Sequence, residues 1–133
     1  MNEKFNFSAQ QIRTMLPHKY PFLLLDQAYD IVPGKKGYGS KFLTINEWYF
    51  QGHFPGEPIV PGVLIIESLA QLTAVIYLSR IFEGSSMLDI DGTQLEQLAG
   101  KVGYLVKTDM KFMLPVRPGC ELNLSAEIIK TFG

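Results

Sequence analysis

Cysteine is almost absent from this chain: Cys120 is the only one. No internal disulfide framework can form, and a cytoplasmic compartment is the expectation. Cys120 lies in the turn Arg117-Pro118-Gly119-Cys120-Glu121, far in sequence from any histidine, which disfavours a thiol nucleophile. Histidine is scarce as well. Neither His18 nor His53 has a further histidine or cysteine at metal-ligand spacing, so no metal site is expected. Excess charge is missing too, and a formal net charge of -1 argues against a general nucleic-acid binder. The start, Met-Asn-Glu-Lys-Phe-Asn-Phe, has no apolar signal-peptide core. The most apolar stretch, Val63 to Phe82, is interrupted by Glu67, Gln71 and Arg80 and falls short of the roughly 20 apolar residues of a membrane span. A central helix buried in protein on most sides is expected instead.

What is present suits one domain over residues 1–133, since 47% hydrophobic and 19% charged residues are enough to build a core and keep it soluble. Ser8 and Gln11 have capping-box spacing, with Phe7 and Ile12 as the staple, so a short helix should run from Ala9 until Pro17 stops it. Phe22 to Val32 and Gly37 to Ile45 read as strands of a hairpin, with Pro33-Gly34 at the centre of a type II turn. Gly84 to Gly100 reads as an irregular excursion or a short helix over Gln94 to Leu98. Val102 to Leu114 and Glu121 to Thr131 then resemble two further strands, joined through Pro118-Gly119. Strand pair, long helix, strand pair implies an α+β fold in which an antiparallel sheet wraps the helix.

The chemistry concentrates between His53 and Glu67. Pro55, Pro58 and Pro61 follow His53 at every third position and stiffen the loop, as acid–base chemistry requires of a group that must stay within reach of a proton. Gly62 and Val63 fall at the expected helix start, where backbone N–H groups lack intrahelical acceptors and can meet an oxygen gaining negative charge. Glu67 lies about one turn further in. Gln71, at i+4, shares its face and can orient the carboxyl group, while apolar neighbours should raise its pKa and keep a transferable proton. His18, within Leu16-Pro17-His18-Lys19-Tyr20-Pro21, reads as a structural lead-in to the first strand.

Four segments in this order resemble the 3-hydroxyacyl-[acyl carrier protein] dehydratases of bacterial fatty acid synthesis: residues 16–26 (LPHKYPFLLLD), 46–56 (NEWYFQGHFPG), 61–71 (PGVLIIESLAQ) and 111–119 (KFMLPVRPG). The resemblance implies a hot-dog fold and elimination of water from a (3R)-3-hydroxyacyl thioester to the trans-2-enoyl product, with no cofactor. It implies His53 as the base at C2, Glu67 as the acid at the departing hydroxyl, the two coming from different protomers, and the Gly62 N–H on the thioester oxygen. Glutamate rather than aspartate at position 67 points to the plain dehydratase and away from its isomerising relative. The partner implied is an acyl carrier protein, and the assembly a homodimer, alone or as a trimer of dimers. Two departures stand out. Met113 and Leu114 occupy positions where the family commonly has arginines, which bears on carrier docking, and family members continue past the position of Gly133 with a further strand, so a shortened sheet is expected. The competing readings are a hot-dog acyl thioesterase, which would not need His53, and a non-catalytic acyl-binding paralogue. The far end of an acyl tunnel would be set by Leu64, Ile65, Leu69, Met87 or Tyr104.

Overall fold

The computed structural model describes residues 3–132; Met1, Asn2 and Gly133 of the expected domain lie outside the described residues. The chain runs β1 (Phe5–Phe7), α1 (Ala9–Met15), β2 (Gln27–Val32), β3 (Lys36–Leu43), α2 (Gly62–Leu78), α3 (Gly92–Leu98) and β4 (Cys120–Glu127). The strands form one antiparallel sheet in the order β1-β2-β3-β4.

α1 starts where its caps dictate: Ser8 accepts from the Gln11 N–H and the Gln11 side chain accepts from Ser8. Phe7 and Ile12 are both buried in the main core, as the expected staple requires. β2 and β3 join through the type II turn, with Gly34 at φ +71° and the Lys35 N–H donating to the Val32 carbonyl at 2.9 Å. The Gly34 N–H then donates to the Ile76 carbonyl at 2.9 Å, which docks this turn on α2. α3 is capped by Asp91 and Gln94 and buries Leu95 and Leu98 in the same core as Ile12 and Met15 of α1.

α2 lies across the sheet with Leu72, Val75 and Ile76 fully buried against residues of β1, β2 and β4. Its buried positions, Leu64, Ser68, Gln71, Leu72, Val75, Ile76 and Leu78, recur at helical spacing and form a single face. Within one copy of the chain the helix is buried on this face alone: Val63 is 72% exposed, and Glu67, Ala70, Ala74 and Tyr77 line an open cavity. With its terminal 3-10 turn, Gly62–Phe82 does reach the length and composition of a membrane span, which the count of uncharged residues did not anticipate. Packing settles its role as the core helix, because the buried face is matched to the sheet.

Three expected strands change, the last only in length, since the one expected over Glu121 to Thr131 ends at Glu127. Residues 22–26 lie outside β2: Asp26 still donates its N–H to the Ser40 carbonyl of β3, but over residues 22–25 a side chain of α2 takes the place of a ladder, Gln71 Oε1 accepting from the Leu24 and Leu25 N–H groups and Gln71 Nε2 donating to the Phe22 carbonyl. Residues 102–114 belong to no strand, since among the described residues no neighbouring chain takes up their N–H and carbonyl groups. Alternating apolar character made the segment look like a strand, but a strand is defined by its neighbour. Val102, Tyr104, Leu105 and Val106 are left exposed, the last at 94%.

Candidate active site

A second, smaller core carries the His53 loop. Tyr49, Phe50 and Val60 pack with Leu24, Leu43 and Leu64, so both ends of the loop are anchored beside the start of α2. Within it, the Phe54 and Glu57 backbones exchange hydrogen bonds at 3.0 and 2.9 Å, the Ile59 N–H donates to the His53 carbonyl at 2.9 Å, and the Val60 N–H donates to the Val116 carbonyl at 2.8 Å. These bonds add to the restriction imposed by the prolines. The His53 ring stacks on Phe54, and its Nδ1 lies 2.8 Å from the Ile59 carbonyl. A carbonyl can only accept, so Nδ1 carries the hydrogen and Nε2 presents a lone pair, the form a general base needs.

α2 begins at Gly62 after Pro61, with no side-chain cap. The Leu64 and Ile65 N–H groups donate to the Pro61 carbonyl, and among the described residues those of Gly62 and Val63 find no acceptor. Two adjacent backbone donors are thus left at the positive end of a seventeen-residue helix. A Cβ at Gly62 would lie 2.7 Å from the Phe112 ring, which would have to move aside to admit one.

One turn on, Glu67 and Gln71 meet as their i+4 spacing implied: Gln71 Nε2 donates to Glu67 Oε2 at 2.9 Å. Gln71 is 1% exposed, and its amide is fully engaged with the residue 22–25 backbone on its other side. Glu67 lines a cavity of about 530 Å³ whose floor is Ala70, Thr73, Ala74 and Tyr77 of α2 and whose walls include Leu16, His18, residues 101–105 and Ile128. Of the residues considered for a tunnel end, Tyr104 borders this cavity, whereas Leu64, Ile65, Leu69 and Met87 do not.

His18 is the residue that sequence reasoning passed over. Its Nε2 lies 3.4 Å from Glu67 Oε2, and it shares the cavity wall with the carboxyl group. No local signal could have paired positions 18 and 67; only the fold brings the end of α1 beside the second turn of α2. His53, by contrast, is not among the residues lining the cavity that holds Glu67.

An antiparallel sheet laid on one long helix, with a carboxyl group presented to an apolar cavity, defines a hot-dog-fold protein equipped for acid–base chemistry. Residues 16–132 match the FabA-like domain, and the chain belongs to that family. It is 45% identical to the 3-hydroxyacyl-[acyl-carrier-protein] dehydratase FabZ of Acetivibrio thermocellus over 120 residues, 90% of this chain and 72% of that protein. The FabZ of Clostridium botulinum is 42% identical over 98% of this chain and 81% of its own length, and that of Enterococcus faecalis 44% identical over 90% and 75%.

Proposed function

We propose that the chain catalyses the dehydration of (3R)-3-hydroxyacyl-[acyl carrier protein] to the trans-2-enoyl thioester in cytoplasmic fatty acid or related acyl-chain synthesis. The observation that carries this reading is the carboxyl of Glu67, fixed by Gln71 at 2.9 Å and facing a largely apolar cavity, in a chain 40–45% identical to FabZ dehydratases. His53 Nε2 removes the proton at C2, and the electron pair left behind forms the C2=C3 double bond as the C3–O bond breaks. Glu67 gives its proton to the departing hydroxyl, which leaves as water. The Gly62 N–H, with that of Val63 beside it, holds the thioester oxygen while negative charge develops there. Proton exchange with solvent resets both side chains. Everything this scheme uses is carried on amino-acid side chains and backbone, so no cofactor is invoked.

Each active site is composed from two copies of the chain, His53 of one facing Glu67 of the other. Two features support this. His53 does not border the cavity that holds Glu67, and the exposed residues 102–106, together with the half-buried cavity face of α2, offer apolar surface that one copy leaves uncovered. The dimer is the unit of catalysis, and a trimer of dimers is compatible with it.

Incubation with a 3-hydroxyacyl thioester, following the conjugated enoyl product by absorbance and free thiol by a disulfide reagent, tests the assignment. Enoyl product formed by the wild type and lost in Glu67→Gln and His53→Ala is the expected result. Free thiol without enoyl product means a thioesterase, and wild type no faster than Glu67→Gln means a non-catalytic acyl-binding protein.

A further inference from the structure

We propose that His18 is a positioning residue which, with Gln71, holds Glu67 by a single carboxyl oxygen, so that the other oxygen, Oε1, carries the proton delivered to the leaving group. The proposal rests on the dehydratase reading above and adds to it which atom does the work and what keeps it there.

The amide of Gln71 has no freedom. Its Oε1 accepts from the Leu24 N–H at 2.9 Å and the Leu25 N–H at 3.2 Å, and its two hydrogens go to the Phe22 carbonyl at 2.7 Å and Glu67 Oε2 at 2.9 Å. Flipping the amide would set oxygen against carbonyl and N–H against N–H, so Gln71 faces Glu67 as a donor. His18 Nε2 approaches the same Oε2, at 3.4 Å. That is long for a hydrogen bond, as orienting contacts often are before substrate closes the site. Glu67 Oε1 has no hydrogen-bond partner among the described residues. An oxygen that already receives the Gln71 N–H and faces the His18 ring is the poorer place for a proton, which leaves Oε1 as the protonated and transferring atom.

The ring of His18 has a direction as well. Its Nδ1 is buried and has no partner among the described residues. Placing the hydrogen on Nδ1 would strand a buried donor and point two lone pairs at each other across the contact with Glu67; placing it on Nε2 gives Glu67 a second donor and leaves only an unpaired acceptor. The Nε2–H tautomer is the one the surroundings select. The mount is firm: Lys19 Nζ donates to the carbonyls of Arg13 at 2.7 Å, Leu16 at 2.7 Å and His18 at 3.1 Å, tying the end of α1 to the residues that follow it. The other titratable groups facing the cavity are Tyr77 of α2, Lys101 and Tyr104 of the 101–105 wall, and Lys130, and none of them hydrogen-bonds Glu67.

The test has two arms. In the first, His18→Ala and the less disruptive His18→Gln are assayed with a 3-hydroxyacyl thioester. A positioning role lowers kcat by on the order of tenfold with KM within about twofold, and added imidazole restores part of the loss in His18→Ala. An unchanged kcat in a folded variant overturns the proposal. In the second, the ring nitrogens of His18 are observed by 15N NMR in the wild type and in Glu67→Gln. An Nε2–H tautomer that changes its population when Glu67 is replaced supports the proposal, and a dominant Nδ1–H tautomer overturns it. Should the wild type fail to dehydrate at all, the function assignment falls, whereas the nitrogen spectra still decide whether His18 donates to Glu67.

Discussion

Gln71 carries a structural duty and a chemical one on the same four atoms. Leucine at this position would fill the space yet leave the buried Leu24 and Leu25 N–H groups without partners, at about 1–3 kcal/mol for each group that water cannot reach, and would free the part-buried Phe22 carbonyl as well. Gln71→Leu should therefore lose about 3 kcal/mol or more in urea unfolding and most of its activity besides. Tyr49 gives a pH signature of the second core. Burial pushes its phenol up from the ordinary 10.0, and the charges of Glu47 and Asp26 push the same way. The neutral phenol is the form the fold favours, so its contribution is complete below about pH 10 and is lost as pH rises toward the folded value, because the unfolded chain ionises first. Stability measured by urea unfolding at rising pH should drop above that point in the wild type and drop less in Tyr49→Phe. Among single residues, the Glu67–Gln71 contact could be read from i+4 spacing alone. The reach of Gln71 to residues 22–25 and of His18 to Glu67 could not, because each joins positions more than forty apart with no local mark in the chain.

At the scale of elements, the close approach of α2 to the sheet depends on Gly39 in β3. A Cβ there would meet the Gln27 carbonyl at 2.8 Å, Leu25 Cδ1 at 2.9 Å and Leu72 Cδ1 at 3.2 Å, and the first of these is backbone held in the β2 ladder. Gly39→Ala should cost about 1–3 kcal/mol by overpacking, read as a lower thermal midpoint. Gly92→Ala, where nothing lies within 4 Å of the added atom, should stay within about 0.5 kcal/mol of wild type. The elements written in local chemistry were legible in advance: the capping box of α1, the Pro33-Gly34 turn, the long apolar run of α2. Those that exist only through a neighbour were not. β1 is three residues long and is defined by pairing with Ile31 and Ala28, and no periodicity in three residues could announce it. Residues 102–114 failed in the opposite sense, having a strand's alternation without a ladder to join.

The whole molecule raises the question of where His53 finds its carboxyl partner, since the cavity of Glu67 does not include it within one copy. Composite sites make a quantitative statement about mixtures. The proposed dimer would have two sites, each built from His53 of one copy and Glu67 of the other. His53→Ala and Glu67→Gln should each be inactive alone. In a dimer containing one copy of each variant, one site receives both substitutions and is dead, while the other receives the intact His53 of the Glu67→Gln copy and the intact Glu67 of the His53→Ala copy. Random reassembly makes half of the dimers mixed, so unfolding and refolding the two variants together should recover about a quarter of wild-type activity. Sites assembled within one copy would recover nothing at any mixing ratio. Replacing Val106, which is 94% exposed, by lysine places a charge in the apolar segment offered for the contact. The Val106→Lys protein should keep its circular dichroism spectrum, lose dimer mass in light scattering, and lose activity in proportion, and a fully active monomer would rule out the composite site.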